Sequence, residues 1–448
     1  MKRVITYGTF DLLHKGHINL LRRAKALGDY LIVGVTSEGY DYYRGKLNVK
    51  QNLTERIENI RASGLADEII VEEYEGQKLD DIIKWNIDIF AIGSDWIGRF
   101  DYLKEYCQVV YLERTKGISS TELRDQQHPL IRFGVVGSGR IAERFVAESK
   151  FVSGVTVEGV YNVHRDSAKE FCIKNELAFY DDDYKTFLNK VNAVYIASPH
   201  GSHYSYAKEA LMHEKHVLCE KPITLTELQA EELFKLAKEK GLILMEAIKT
   251  AYCPGFQRMV SCAKSGKIGS IISVDATFTK LVSPHLRELQ NNGEGGSVLE
   301  LATYPLLAIF KLLGVGYQDI QFVSYKKNPN DVDLFTRIDL VYPGALATAR
   351  VGLGVKSEGS LVIAGTRGYV YIPAPWWKTE YFELRYENPS ETEKNFYKFS
   401  GDGLRYEIVE FSNRIALGKM NDNICRLSCE IARILERYRA GDKTTIVM

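Results

Sequence analysis

Through the first part of the chain, short apolar runs alternate with stretches whose apolar residues recur at helical spacing. VITYG, YLIVGVT, EIIVEE, IDIFAIG and QVVYLE read as strands. Segments after His14, around Thr54–Ser63 and around Leu79–Lys84 read as amphipathic helices between them. Buried strands separated by helices predict a parallel, doubly wound α/β sheet over residues 1–127. Gln126-Gln127-His128-Pro129 reads as a linker, and LIRFGVV then opens a second α/β alternation over residues 130–250. Beyond Leu242–Met245 the strands lengthen (SIISVDATFTKL, TRIDLVYPG, ALATARVGLG, SLVIAGTRGYVYI) and few helices intervene. That change predicts a C-terminal α+β domain with a large, mostly antiparallel sheet over residues 251–448.

Parallel sheets bind ligands beyond the carboxyl ends of their strands. In the first domain Gly8–Asp11, Gly93–Trp96 and Arg114–Thr121 each follow a strand, so they are expected to converge on one site. The first helix opens with His14-Lys15-Gly16-His17. Two imidazoles three residues apart share a helix face, beside unpaired backbone N–H groups and the positive end of the dipole. The arrangement suits a polyphosphate, and imidazoles can donate hydrogen bonds to a phosphoryl oxygen whose charge grows during reaction. The competing reading is an ordinary helix start with structural histidines.

YGTFDLLHKGHINLLRRAK resembles the HxGH nucleotidyltransferases of the glycerol-3-phosphate cytidylyltransferase branch, and RTKGISST is similar to that family's RTxGISST loop. The resemblance implies a Rossmann-like domain that transfers a cytidylyl group. It implies that Gly8, Thr9, Phe10, Asp11, Gly16, Arg44, Asp95, Thr115, Gly117, Ile118, Ser119, Ser120 and Thr121 hold CTP. His14 and His17 then stabilise the transferring phosphate, Lys46 and Arg114 the leaving pyrophosphate, with Mg²⁺ on the triphosphate, and Lys78 meets the acceptor's phosphate. One position departs from the pattern: Gly64 stands where the glycerol-phosphate enzymes carry an arginine, and Arg61, a helical turn earlier, is the candidate replacement.

In the second domain, Gly137-Ser138-Gly139-Arg140-Ile141-Ala142 follows a strand, opens a helix and precedes the strand VTVEGVYNV. A GxGxxA in that context predicts a dinucleotide site at Gly137, Ser138, Gly139, Arg140 and Ile141. The second strand ends at Asn162, followed by His164 and Arg165, where a carboxylate would bind ribose hydroxyls. Cations in its place predict NADP(H) through its 2′-phosphate; NAD(H) with a solvated Arg165 is the alternative. Further on come Ser198-Pro199-His200-Gly201-Ser202-His203, then Glu220-Lys221-Pro222, then Gly295-Gly296 with Glu300 and Tyr304. With the GxGxxA turn, these resemble the glucose–fructose oxidoreductase / inositol dehydrogenase (Gfo/Idh/MocA) family. The resemblance implies that Lys221 reaches the substrate's hydroxyl or carbonyl. Ser198, Pro199, His200, His203, Glu220 and Pro222 then border the nicotinamide. Tyr304 donates a proton, its acidity increased by Lys221, and Glu300 takes the place of the family's aspartate. The C-terminal sheet is expected to join subunits into a dimer or tetramer. Trp376-Trp377 is read as packing or as a wall facing sugar or subunit, and Arg405 as a phosphate contact.

Composition narrows the partners. Lys plus Arg and Asp plus Glu both number 58, so no net field favours nucleic acid or a membrane surface. Seven scattered cysteines without a CxxC fit neither a disulfide framework nor a zinc site, and no resident metal is expected. No apolar run approaches the length of a membrane span and the first strand begins at once, so a soluble cytoplasmic protein is expected. Together the halves suggest a two-step enzyme. A sugar phosphate, with fructose or glucose 6-phosphate as candidates, is reduced with NADPH to an alditol phosphate such as glucitol 6-phosphate. CTP then converts this into a CDP-alditol for capsule or cell-surface polymers. The alternative is a glycerol-3-phosphate cytidylyltransferase fused to an oxidoreductase of a separate sugar or CDP-sugar step.

Overall fold

The computed structural model describes residues 1–43, 49, 51–74, 76–113, 130–290 and 293–448, and the chain divides at Leu130/Ile131 into two compact units. The first unit holds β1 (Arg3–Gly8), β2 (Tyr30–Thr36), β3 (Glu68–Glu72), β4 (Ile89–Gly93) and β5 (Gln108–Leu112). They form one parallel sheet in the order β3-β2-β1-β4-β5. Alternate strand residues face opposite sides, and both sides are buried. Val4 and Val33 pack with Leu21 and Ile60 on one face, Ile5 and Ile32 with Ile82 and Phe90 on the other. The chain reverses direction across the sheet between β1 and β4, which puts the ligand crevice at the carboxyl end of β1.

The helix Leu53–Ala62 begins with a reciprocal cap: Glu55 N donates to Asn52 Oδ1 and Asn52 N to Glu55 Oε2, both 2.9 Å. It ends at Gly64, whose φ of +65° lies in the left-handed region that a side chain disfavours. That backbone accounts for the glycine in place of the expected arginine.

The second unit contains two sheets. β6 (Ile131–Val136), β7 (Val155–Tyr161), β8 (Phe179–Asp181), β9 (Ala193–Ile196), β10 (His216–Glu220) and β11 (Leu244–Ala247) are parallel, ordered β11-β10-β9-β6-β7-β8. The other sheet comprises β12 (Ile271–Thr279), β13 (Asp319–Tyr325), β14 (Phe335–Tyr342), β15 (Ala345–Gly352), β16 (Leu361–Gly365), β17 (Tyr369–Ile372), β18 (Tyr381–Arg385), β19 (Glu393–Phe396) and β20 (Thr444–Val447). Its order is β19-β18-β17-β16-β12-β15-β14-β13-β20, antiparallel except for β12/β15 and β13/β20. Thr336, Ile338, Leu340 and Tyr342 turn inward from β14 while Arg337 and Val341 face out, the alternation of a sheet covered on one side.

Two expectations are corrected here. SLVIAGTRGYVYI is two strands, because Gly365 N donates to Gly368 O (2.8 Å) and folds the run into a tight turn through polar Thr366 and Arg367. DIQFVSY, read as no element, is β13, with Ile320, Phe322 and Ser324 buried in alternation. The C-terminal end carries two helices, Leu404–Leu417 and Asp422–Arg439, parted at Gly418 (φ +61°). Among the described residues, no helix is long and apolar enough to cross a membrane.

Candidate functional site

At the carboxyl end of β1 the backbone enters the left-handed region at Phe10 (φ 54°) and Leu12 (φ 49°), which costs roughly 1–2 kcal/mol per residue. Side-chain bonds hold it there: Gln51 N donates to Asp11 Oδ1 (3.0 Å) and Leu12 N to Gln51 Oε1 (2.8 Å). The Phe10 ring lies beside Gly8, where a Cβ would sit 3.0 Å from it. His14 then caps the helix Lys15–Lys25, its Nδ1 accepting from the N–H groups of Gly16 (3.0 Å) and His17 (3.4 Å). A nitrogen that accepts carries no proton, so the ring's N–H is at Nε2. The His17 ring stacks on His14 at 3.8 Å, with Phe10 edge-on at 5.4 Å. The structure thus brings Gly8–Asp11, His14, Gly16 and His17 to one strand end. Lys78 is buried, its ammonium paired with Glu72 and 4.7 Å from the centroid of the Tyr7 ring, so contact with an acceptor means exchanging that partner. Arg44, Lys46, Arg114, Thr115, Gly117, Ile118, Ser119, Ser120 and Thr121 lie outside the described residues, as does the Asp95 side chain; the Asp95 backbone belongs to the turn Ser94–Trp96 that follows β4.

In the second unit, β6 leads into Gly137, whose φ is +100° and whose Cβ would meet Ala197 O at 2.8 Å; no other residue fits. Gly139 starts the helix Arg140–Ser149 without a side-chain cap, leaving its first N–H groups for an anion. Asn162, at the end of β7, donates to Ser138 Oγ (2.8 Å) and accepts from His164 N (2.9 Å), tying the glycine turn to the neighbouring strand end. These features fit a dinucleotide, which when bound supplies the hydride of the reaction. Arg140 pairs with Glu288 (2.7 Å). Arg165 pairs with Asp182 (2.5 Å) on an exposed surface, an ion pair cheap to exchange for a phosphate.

The catalytic candidates meet in a cavity of about 810 Å³ whose lining includes Ile141, Lys221, Phe278, Glu300, Tyr304 and Trp377. Lys221 is set by the end of β10: Tyr195 OH donates to Glu220 Oε1 (2.6 Å), and Lys221 N donates to Glu220 Oε2 (3.1 Å). His203 lies with Nδ1 2.8 Å from Pro222 O and Nε2 2.9 Å from Ser198 O, pinning the two strand ends together. Burial pushes His203 down to about 4, so the neutral ring gives its single N–H to one of these carbonyls. The Lys221 ammonium donates to Glu300 O (2.9 Å) and lies 3.5 Å from Glu300 Oε2. Glu300 Oε1 is 3.8 Å from both His200 Nε2 and Arg287 Nη2. His200 is held well below the usual imidazole range by burial and by Lys221, and is neutral.

Tyr304 corrects an expectation. Burial, with the carboxylates of Glu220, Glu407 and Glu300, raises its phenol far above the ordinary value, and Lys221 is engaged by Glu300 instead. Arg405 is likewise no phosphate contact: its Nε and Nη2 grip the Glu148 carboxylate, each at 2.9 Å. Trp376 is buried, bonded through Nε1 to Thr277 O (2.8 Å), whereas Trp377 stacks on Phe278 at 3.6 Å along the cavity wall.

Residues 5–126 match the cytidylyltransferase-like family, and residues 131–248 match the Gfo/Idh/MocA oxidoreductase family with its NAD-binding Rossmann fold. Glycerol-3-phosphate cytidylyltransferase of Bacillus spizizenii is 50% identical over 124 residues, 28% of this chain and 95% of that protein. The dTDP-3,4-didehydro-2,6-dideoxy-alpha-D-glucose 3-reductase of Actinomadura kijaniata is 32% identical over 249 residues, 54% of this chain and 71% of that one. The chain belongs to both families, joined end to end. A scyllo-inositol 2-dehydrogenase (NADP(+)) of Bacillus subtilis extends the oxidoreductase likeness, at 28% identity over 322 residues, 69% of this chain and 96% of the relative.

Two buried charged residues missed in the sequence bear on the stability of these halves. In the cytidylyltransferase half Arg56 is fully buried. Its Nη1 donates to Thr9 O (2.8 Å), Thr36 O (2.9 Å) and Asp41 Oδ2 (3.1 Å), and its Nε to Gln51 O (3.1 Å). Thr9 Oγ1 completes the network by donating to Asp41 Oδ1 (2.8 Å). The signal was an arginine on the apolar stripe of Leu53 and Ile60. Arg56→Ala is expected to destabilise this half by about 3–5 kcal/mol, since it breaks a buried ion pair and removes the donor to the Thr9 and Thr36 carbonyls. Arg56→Lys keeps the charge but not the fork, and should cost roughly 2 kcal/mol. Denaturant unfolding followed by pyrophosphate release checks both; wild-type midpoints would mean the network does not hold the turn.

In the oxidoreductase half Glu246 is buried in β11, accepts from Ile223 N (3.0 Å), and is pushed by burial up to about 7. The folded state keeps its proton where an unfolded glutamate has lost it, so stability falls as pH rises from the unfolded value through the folded one. That span corresponds to about 3 kcal/mol. Glu246→Gln keeps the acceptor and removes the titration. Thermal melts at pH 5 and pH 8 are expected to show the variant gaining on the wild type only at the higher pH; parallel shifts at both would reject the assignment.

Proposed function

We propose that the oxidoreductase half reduces a sugar phosphate with NADPH to an alditol phosphate, and that the cytidylyltransferase half joins this product to CMP from CTP, releasing pyrophosphate. The observation that carries the reading is the union of the two catalytic units in one chain, since a reductase makes a hydroxyl from a carbonyl and the cytidylyltransferase relatives are named for an alditol phosphate, glycerol 3-phosphate. The phosphate oxygen of the acceptor attacks the α-phosphorus of CTP in line, and this half has to position and neutralise charge rather than form a covalent intermediate. His14 and His17 face the transferring phosphate, the expected Lys46 and Arg114 the leaving pyrophosphate, with Mg²⁺ arriving on the nucleotide. In the other half Lys221 and Tyr304 address the carbonyl oxygen, and Glu300 holds Lys221 in place.

NADP(H) is supported by Asn162 and Arg165 in place of a carboxylate and by the relative named for NADP(+). Gly64, in a backbone conformation unfavourable to arginine, weighs against glycerol 3-phosphate as the acceptor. Fructose or glucose 6-phosphate, giving a glucitol 6-phosphate, is the preferred candidate, and the CDP-alditol would feed a capsule or other phosphate-linked surface polymer. Within the second unit we read a dinucleotide domain to about residue 250 and a substrate domain beyond it, whose nine-stranded sheet pairs subunits.

The test is a panel of aldose and ketose phosphates with NADPH, with and without CTP and Mg²⁺, following nicotinamide absorbance and pyrophosphate together. One sugar phosphate should oxidise NADPH and support pyrophosphate release only when NADPH is present. Pyrophosphate release with glycerol 3-phosphate, and no sugar phosphate oxidising NADPH, rejects the coupled pathway. A second reading is favoured by the Actinomadura relative, which is named for a nucleotide-linked sugar: the oxidoreductase half acts after cytidylyl transfer, and NADPH is then oxidised only by a CDP-linked carbonyl.

A further inference from the structure

The oxidoreductase cavity carries a second concentration of charge, away from Lys221 and Glu300. Lys280 N donates to Gly352 O (2.8 Å), which prolongs the β12 ladder one residue past Thr279. Alternate strand residues share a face, so Lys280 stands on the side of Phe278. That side is the cavity wall, because the Phe278 ring lies 5.2 Å from Tyr304 and stacks on Trp377. Lys280 lies two residue steps beyond Phe278, a distance of ~7 Å along the wall. Lys356 approaches the same edge, its Nζ donating to Thr279 O (3.1 Å), and both lysines belong to the cavity lining.

The carboxylates of this cavity already have partners. Glu300 faces Lys221 and Arg287, Glu288 faces Arg140, and Asp402 faces Arg144 and Lys378. Among the described residues, Lys280 and Lys356 make no ion pair with any of them. Two uncompensated ammonium groups at one edge match a dianion better than a single carboxylate, and a phosphate monoester carries about −1.5 to −2 charges at neutral pH.

We propose that Lys280 and Lys356 form a phosphate-recognition pole of the oxidoreductase site, which selects carbonyl substrates carrying a phosphate ester. The proposal rests on sugar reduction by this half and is independent of the order of the two steps. Its test is steady-state NADPH oxidation by the full chain with fructose 6-phosphate, fructose, glucose 6-phosphate, glucose and a CDP-linked ketosugar. Lys280→Gln and Lys356→Gln are each expected to raise KM for the phosphorylated substrate about tenfold, and together about 100-fold, beyond any change seen with the neutral sugar. Lys280→Arg should recover most of the loss, and inorganic phosphate should compete with substrate in the wild type more strongly than in the double variant. Equal losses for ester and neutral sugar overturn the assignment, because they describe a structural role. So does a wild-type enzyme that reduces a neutral sugar as well as its phosphate, or that reduces neither a sugar phosphate nor the CDP-linked sugar. Reduction confined to the CDP-linked sugar, with the same dependence on both lysines, upholds the pole and rejects the order of steps given above.

Discussion

Lys221→Ala is expected to lower NADPH-dependent reduction about a thousandfold, and Tyr304→Phe only about tenfold. Positioned acid–base groups contribute roughly 10²–10⁴ to a rate, and Lys221 is positioned from both ends. Its backbone is fixed by Glu220, itself held by Tyr195, and its ammonium by the carbonyl and carboxylate of Glu300. Tyr304 reaches the same cavity, but burial and three carboxylates hold its proton tightly. Such a phenol serves as a hydrogen-bond donor to the carbonyl oxygen, and losing one neutral donor costs about a factor of ten. Single-turnover oxidation of NADPH on each variant makes the comparison. Because Lys221→Ala leaves Glu300 short of a partner, the double variant with Glu300→Gln serves as the control for charge. Recovery of reduction in the double variant would reduce Lys221 to a neutraliser of Glu300. A Tyr304→Phe loss as large as that of Lys221→Ala would make the phenol the acid after all.

Much of this architecture was legible because local pattern and global position agree in it. GxGxxA could be read because Gly137 needs a positive φ and tolerates no side chain against Ala197, a demand that only glycine meets. HxGH could be read because a strand end, a turn and a helix cap leave little freedom in spacing. What escaped depends on partners far along the chain. Arg405 has the type and place of a phosphate ligand, yet Glu148, 257 residues away, takes its Nε and Nη2 as a bidentate partner. Tyr304 sits one turn from Glu300 as expected, but its acidity is set by Glu220 and Glu407, which no spacing announces. β13 was lost because Ser324 and Gln321 dilute its alternation, although Ser324 is buried and bonded to Thr336 (2.8 Å). In each case the residue type was visible, and the competing partner was not.

His14→Asn is expected to lower pyrophosphate release from CTP by about 10²–10³ while leaving the stability of the cytidylyltransferase half within ~0.5 kcal/mol of the wild type. The expectation follows from the division of labour within one ring. Nδ1 of His14 accepts the N–H groups of Gly16 and His17 and so caps the first helix. Nε2 carries the proton and is the atom assigned here to a phosphoryl oxygen. Asparagine places an acceptor near the position of Nδ1, and it is among the best residues for a helix N-cap, but it has nothing at the position of Nε2. His14→Ala removes both functions, and should match the activity loss while adding about 1 kcal/mol of destabilisation from the lost cap. The pair of variants therefore separates capping from chemistry, with NADPH oxidation in the other half as an internal measure of intact protein. Near-normal turnover in His14→Asn would make this histidine a cap alone. Stabilisation of the transferring phosphate would then fall to His17, which stacks on it at 3.8 Å, and to the basic residues that the resemblance expects beside the nucleotide.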